Sequence, residues 1–142
     1  MSIHFFTEGI AFDLKEKRKI KGWIGSVISS EGKRLGEVNV VFASDDYILG
    51  LNKKYLNHGY FTDIVTFNYN SLETISGDIF ISIDTVRKNA DFYNIHILDE
   101  IHRVIIHGIL HLLGFDDKNV DQKSIMRLQE NKWLDDLRLN YL

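Results

Sequence analysis

The chain has 142 residues, 44% hydrophobic and 26% charged, with no cysteine and a formal net charge of −3. This length and composition are typical of one globular unit, and we expect residues 1–142 to form a single domain. The lack of cysteine excludes disulfide bonds and thiolate metal ligands. No apolar run reaches the ~20 residues that span a bilayer, and the net charge does not favour DNA binding. We therefore expect a soluble, cytoplasmic protein without a membrane partner.

Hydrophobic periodicity predicts strands and helices in the first half of the chain. Between residues 14 and 30, Ile20, Trp23 and Val27 are spaced for one buried helix face, and Gly32 lies just past the end. The predicted elements of this half are weak strands at 3–6 and 11–12, a helix at 14–30, a strand at 37–43 and a helix at 44–57.

The second half begins with two β-rich runs and is helical from there to its end. Residues 62–68 and 78–83 are joined by a turn-prone segment, which predicts a hairpin with a long loop. The predicted helices are residues 84–93, residues 97–113, and a third that starts near Asn119 with Gln122 at the capping-box position. Strands gathered between helices predict an α+β fold, a small β-sheet packed against helices, with no dividing linker.

The strongest functional pattern is H-x3-H-x2-G-x2-D, formed by His107, His111, Gly114 and Asp117. Histidines four apart on a helix lie one turn above each other, so both imidazoles can reach one metal ion. A glycine three residues later can end the helix, after which a carboxylate can return toward the same ion. Three protein ligands with one position left for water are the arrangement of catalytic zinc. We therefore predict a metal site on His107, His111 and Asp117.

Two nearby residues test this assignment. Asp116 is the alternative carboxylate ligand, although Asp117 has the offset of known zinc motifs. His102 lies about 140° around the helix from His107, and we do not expect it to be a ligand.

A histidine pair at this spacing also occurs by chance, and a buried histidine bonded to backbone is the structural alternative. Two features favour the metal site. The surrounding helix is strongly apolar, so imidazoles buried within it need partners. Glu100 and Arg103 share the helix face of His107, so a polar stripe leads into the predicted site.

The same metal frame occurs in metzincin proteases, whose motif begins H-E-x-x-H. Here Gly108 stands where those enzymes carry their general-base glutamate. Without that carboxylate, the zinc water and the leaving amine lack their proton carrier. A zincin-like metalloprotease is therefore an alternative that the sequence disfavours.

With Gly108 in place, the segment resembles the H-G-x-L-H-L-x-G-[YF]-D-[HD] signature of the YbeY family. The resemblance continues upstream in L-N-K-K-Y at 51–55, T-D-I-V-T-F at 62–67 and G-D-I-F-I-S at 77–82, and covers roughly residues 37–130. It implies a small mixed sheet beside helices, zincin-like, with the metal-binding helix near the C-terminus.

The YbeY family consists of bacterial metal-dependent endoribonucleases that act in ribosomal RNA maturation and ribosome quality control. The resemblance therefore implies one zinc ion on the three predicted ligands, a zinc-activated water, and single-stranded RNA as substrate. The implied target is the 3′ end of 16S ribosomal RNA, and the implied partner is the ribosome. A zinc-containing ribosome-assembly factor without catalysis is the alternative from a different class.

The chain departs from the family pattern at three positions. Asp117 replaces the usual third histidine, which keeps three ligands but adds negative charge. Phe61 replaces a proline, and Leu56 replaces an arginine thought to serve the active-site cleft. The candidate cations in place of that arginine are Lys53, Lys54 and Arg103.

The sequence does not identify the residue that carries protons or the residues that contact RNA phosphates. Glu100 and Arg103 are candidates for a catalytic role beside the metal. The possible general bases are Asp63, Asp78, Asp99 and Glu100. The one basic run, residues 15–21, is interpreted as a solvated helix face, with a phosphate-contacting patch as the alternative.

Overall fold

The computed structural model describes residues 2–55 and 62–142. These residues form a four-stranded sheet and five helices, in the predicted α+β arrangement. None of the described helices is long and apolar enough to cross a membrane. The elements in chain order are β1 (Ser2–Glu8), α1 (Lys17–Ser30), β2 (Arg34–Ala43), α2 (Asp45–Tyr55), β3 (Ile64–Asn68), β4 (Thr74–Ser82), α3 (Ile83–Tyr93), α4 (Ile97–Leu112) and α5 (Val120–Asn140).

The sheet is mixed and has the strand order β1-β2-β4-β3. β1 pairs with β2 and β2 with β4 in parallel, whereas β3 and β4 are antiparallel and form the predicted hairpin. The predicted strand at residues 11–12 is wrong. Gly9 turns the chain out of β1 with φ +69°, and Phe12 packs its ring on Phe42, with 4.8 Å between centroids.

The two faces of the sheet have different coverings. Val38, Val40 and Phe42 point from β2 into the main core, which they share with α1, α4 and α5. Helix α2 packs near β3 on the other face, where Ile48 clusters with Val65. Helix α4 has ten buried residues, against five each for α1 and α5. The helix that carries the histidine motif is therefore also the main core helix.

Helix α4 approaches the sheet closely at Gly108. A Cβ atom at this position would lie 2.9 Å from both Ile64 Cδ1 and Ile79 Cγ2. Gly77 on β4 makes room for the end of the helix, since its own Cβ would lie 2.8 Å from Leu112 Cδ2. A side chain at position 108 would have to displace the side chains of Ile64 and Ile79, so packing as well as chemistry disfavours a glutamate there.

Two capping motifs set the course of the chain after α4. Gly114 has φ +102°, and its N–H donates to the His111 carbonyl at 3.0 Å, in the Schellman ending that its position predicts. Helix α5 begins at Asn119, whose side chain accepts from Gln122 N–H at 2.8 Å. The short link between these motifs contains Asp117 and returns it toward α4.

The Gly108→Ala variant tests the close packing of α4. We expect a loss of about 1–3 kcal/mol in the free energy of unfolding, because the methyl group overpacks buried Ile79. Gly25→Ala in α1 is the matched control, since nothing lies within 4 Å of its Cβ. That variant should gain up to about 1 kcal/mol from helix propensity alone. Urea unfolding measures both, and equal stabilisation of the two variants would contradict the packing.

Candidate metal centre

The side chains of His107 and His111 are partly exposed on the same side of α4. Their side chains are 21% and 22% exposed, beside fully buried neighbours such as Ile105 and Ile109. Their Nε2 atoms are 3.0 Å apart, and the rings meet edge-on with 81° between their planes. Both Nε2 atoms can therefore bind one ion on the open side of the helix, as the spacing predicts.

Asp117 supplies the third donor. Its Oδ2 lies 3.3 Å from His107 Nε2 and 3.4 Å from His111 Nε2. Two ligand atoms at about 2.0–2.1 Å from a tetrahedral zinc ion are about 3.3–3.4 Å apart. The two separations from Asp117 match this value, and the 3.0 Å between the two Nε2 atoms is about 0.3 Å shorter, so the three atoms lie close to one face of a ligand tetrahedron. In the described part of the chain, this is the one such group of three that could hold a metal ion, and Asp116 is exposed outside it.

Glu130 of α5 holds the far side of the His107 ring. Its side chain is 7% exposed, and its Oε2 accepts a hydrogen bond from His107 Nδ1 at 2.7 Å. Its Oε1 accepts from Arg103 Nη1 at 2.8 Å, and Arg103 Nη2 donates to Asn131 at 2.9 Å. Because the Nδ1 proton is directed at Glu130, the lone pair of His107 lies on Nε2, where a metal needs it.

The pKa values of the two histidines are shifted in opposite directions by their surroundings. Burial acts to lower the pKa of His107, but the hydrogen bond and charge of Glu130, with the charges of Asp117 and Asp63, raise it above its ordinary value. Burial and the nearby charge of His107 lower the pKa of His111. His111 is thus held in the neutral form that binds metals, and the carboxylates draw positive charge to His107.

A cavity of about 420 Å³ opens beside His107, between α3, α4 and α5. Asp63 and Glu100 line it, and burial raises the pKa of both carboxyls, with the charge of Asp63 adding to the effect on Glu100. The other two possible bases lie elsewhere. Asp78 accepts a hydrogen bond at 3.0 Å from an asparagine of β2, on the sheet face opposite the main core, and Asp99 is exposed.

The remaining histidines lie away from the centre. His102 is 9% exposed, burial lowers its pKa, and it lies outside the group of His107, His111 and Asp117. His4 contacts the side chain of Ser2, and His96 caps α4. Leu56 and Phe61, the departures from the family pattern noted in the sequence, and the sixth histidine, His58, lie outside the described residues.

None of the cations proposed from the sequence both lines the cavity beside His107 and has an unengaged side chain. Arg103 lines the cavity, but its guanidinium is engaged by Glu130 and an asparagine. Lys53 and Lys54 are exposed at the end of α2 and do not line the cavity. Arg127 of α5 does line it, is 64% exposed, and forms a looser ion pair with Glu130, with 3.8 Å between its Nη1 and Oε1.

Sequence reasoning missed both Glu130 and Arg127. For Glu130 an indication was present in the pattern of α5. The buried residues of this helix are Met126, Glu130, Trp133, Leu134 and Leu137. A glutamate at a core position of an amphipathic helix requires a buried partner, which here is the pair formed by His107 and Arg103. Arg127 lies on the exposed side of α5, where no pattern distinguishes it.

Comparisons with known proteins establish the family. The family model described as endoribonuclease YbeY matches residues 5–138. Curated relatives named endoribonuclease YbeY include one from Bacteroides thetaiotaomicron, 48% identical over 94% of this chain and 98% of its own length, and one from Phocaeicola vulgatus, 49% identical over 93% and 96%. A solution structure of a Thermotoga maritima protein matches with a TM-score of 0.68, at 28% identity over 94% of this chain and 88% of that one. The chain therefore belongs to the endoribonuclease YbeY family.

Proposed function

We propose that the protein is a zinc-dependent, single-strand-specific endoribonuclease. In this proposal, residues 1–142 act as one catalytic domain that matures the 3′ end of 16S ribosomal RNA in the cytoplasm and acts in ribosome quality control. The group of His107, His111 and Asp117 carries the proposal, because its donor atoms are spaced as ligands of one ion. The relatives' name, endoribonuclease, supports RNA as the substrate.

Zinc is the metal that this donor set favours. Two imidazole nitrogens and one carboxylate oxygen are typical ligands of catalytic zinc, whereas magnesium and calcium prefer oxygen ligands alone. The three side chains are 21%, 22% and 39% exposed, which leaves a coordination position that substrate and water can reach. When bound, the ion supplies Lewis acidity and an activated water for hydrolysis of a phosphodiester bond.

The side chains around the ligands orient the site and carry protons. Glu130 directs the Nδ1–H of His107 away from the ligand side and so fixes the ring. We assign proton transfer to Asp63, because it lines the cavity beside His107 and interacts electrostatically with both His107 and Asp117. Glu100 lines the same cavity, but it precedes His107 by seven residues, about 10 Å along the helix axis, so we prefer Asp63 for this role.

The structure argues against both alternatives. A metalloprotease needs a carboxylate after the first histidine, and position 108 faces Ile64 and Ile79 without room for one. A zinc-containing assembly factor needs only a structural site, and structural zinc sites are closed by four protein ligands. Here the group has three ligands and is open to solvent, which favours catalysis.

The proposed activity is tested by incubating nuclease-free protein with single-stranded RNA and with casein, each with and without a chelator. We expect RNA cleavage that the chelator abolishes and zinc restores, and no cleavage of casein. A 16S ribosomal RNA precursor with an unprocessed 3′ end should be cut, and duplex RNA should not. Casein cleavage would favour the peptidase, and cleavage of neither substrate would favour the assembly factor.

The histidine ligands are tested by metal analysis. His107→Ala and His111→Ala should each abolish stoichiometric zinc, because two remaining ligands do not make a stable site. His102→Ala is the control, since it removes a histidine of the same helix that lies outside the group. Normal zinc in His107→Ala, or loss of zinc from His102→Ala, would show that the ligands are assigned wrongly.

The carboxylate ligand is tested by three variants of the link after α4. Asp117→Ala should weaken zinc binding, and Asp116→Ala should have a smaller effect, because only Asp117 lies within 3.4 Å of both imidazoles. Asp117→His should retain zinc, since an imidazole is an equally suitable third ligand. Competition with a chromophoric chelator measures all three affinities. Equal losses from the two alanine variants would overturn the preference for Asp117.

The support from Glu130 is tested by zinc affinity in the folded protein. Glu130→Ala should weaken zinc binding by about 10–100-fold, the usual effect of removing the partner of a metal-binding imidazole. Glu130→Gln keeps an acceptor for Nδ1–H and should lose less. Asp135→Ala removes an exposed carboxylate of the same helix and is the control. Unchanged affinity in folded Glu130→Ala would show that this hydrogen bond does not position the ligand.

A further inference from the structure

The cavity beside His107 has features that metal binding does not use. Its volume of about 420 Å³ lies within the range of pockets that hold small organic groups, about 300–1,000 Å³. It extends away from the ligands toward the start of α4, between α3 and α5. An RNA strand with a phosphate at the metal would place a neighbouring nucleotide in or against this space.

Glu100 is the most informative group in the cavity wall. It is only 7% exposed, and within residues 2–55 and 62–142 its carboxylate has no hydrogen bond and no ion pair within 4.0 Å. Buried carboxylates in folded proteins are nearly always satisfied by a partner, and each exception requires an explanation. The charges of Arg103 and Arg127 act on this carboxylate, but neither side chain hydrogen-bonds to it, so its oxygens can accept hydrogen bonds from a ligand in the cavity.

The other walls supply the remaining contacts of a base-binding pocket. Tyr93 at the end of α3 is 64% exposed and offers an aromatic face at the rim. Val104 and Ile95 add apolar surface, and Asn89 an amide that can donate or accept. Arg127 of α5 lines the cavity, is 64% exposed and lies 3.8 Å from Glu130 through its Nη1, and it offers a cation to a flanking phosphate.

We propose that this cavity binds one unpaired base of the RNA substrate, and that the base is guanine. Glu100 accepts hydrogen bonds from N1–H and the N2 amino group, Tyr93 stacks on the ring, and Arg127 contacts the adjoining phosphate. The inference rests on the proposed endoribonuclease function. It adds a specificity determinant in the pocket beside the metal.

The choice of guanine follows from the donor pattern of the four bases. A carboxylate offers two acceptor oxygens side by side, and guanine presents two N–H groups on one edge with matching spacing. Adenine and cytosine present one amino group next to an acceptor, which would face a carboxylate oxygen. Uracil presents a single N–H between two carbonyl groups. Single-stranded RNA is commonly read in this way, by stacking and by contacts to the edges of splayed bases.

The test compares binding and cleavage with defined probes. Zinc-loaded protein is titrated with guanosine, inosine and uridine 5′-monophosphates, where inosine lacks only the N2 amino group. The same protein is assayed on short oligouridylates that carry a single guanosine or inosine. We expect guanosine to be preferred over inosine about tenfold in Kd and in kcat/KM, since one good bidentate contact discriminates by this order. Uridine should bind more weakly than either.

Variants separate specific recognition from a structural effect. Glu100→Gln should reduce the guanosine preference to within about twofold, and Tyr93→Ala should weaken all three nucleotides where Tyr93→Phe does not. Asp99→Asn removes a neighbouring carboxylate from the same helix turn, but an exposed one, and should keep the preference. Chelator-sensitive RNA cleavage with no guanosine preference, or with a preference that survives in folded Glu100→Gln, would overturn the inference and leave the proposed function intact. Guanosine binding that depends on Glu100, in a protein that cuts no RNA, would support the pocket and refute the nuclease.

Discussion

Helix α4 packs against β3 and β4 through Gly108, where any Cβ atom would lie 2.9 Å from Ile79 Cγ2. The absence of a side chain at Gly108 lets the helix approach the sheet closely at this turn, and close-packed interiors adjust little to an added atom. The neighbouring His107 is therefore held at a defined height above the sheet. Precise placement of a ligand is easier on such a buried helix than on a loop.

The electrostatics of the centre follow from where that helix puts its polar residues. Asp63, Asp117 and Glu130 surround His107, and together they raise its pKa despite its burial. Their combined charge favours a cation at this point. Either a proton or a divalent metal ion on His107 Nε2 would supply this positive charge. Metal binding and protonation therefore compete for the same nitrogen. The glutamate behind the ring strengthens the ligand, since it accepts from the opposite nitrogen.

Local patterns predicted the parts of the structure that local interactions decide. The period of α4, the glycine that ends it and the spacing of His107, His111 and Asp117 all depend on residues within a few turns of each other. The strand order β1-β2-β4-β3 and the contact of Glu130 with His107 depend on residues distant in sequence, and periodicity carries no such information. Gly108 is an intermediate case. Its chemical meaning, the missing protease glutamate, was visible, whereas its steric reason lies in the facing strands.

The charge distribution indicates how such a site can select RNA. Nearby carboxylates pair with the lysines of the basic run at residues 15–21. The Asp13 carboxylate oxygens lie 3.1 Å from Nζ of Lys15 and of Lys17, and Glu16 Oε2 lies 3.4 Å from Lys19 Nζ. With these cations partly neutralised and a net charge of −3, the proposed nuclease would gain little affinity from displacing counterions along the RNA backbone. Under the proposal, recognition then depends on the metal and on the neighbouring cavity. A base can enter that cavity only when its Watson–Crick edge and one ring face are free, which is true of an unpaired base and not of a stacked base pair. The same cavity that would read guanine therefore supplies a physical reason for a preference for single strands.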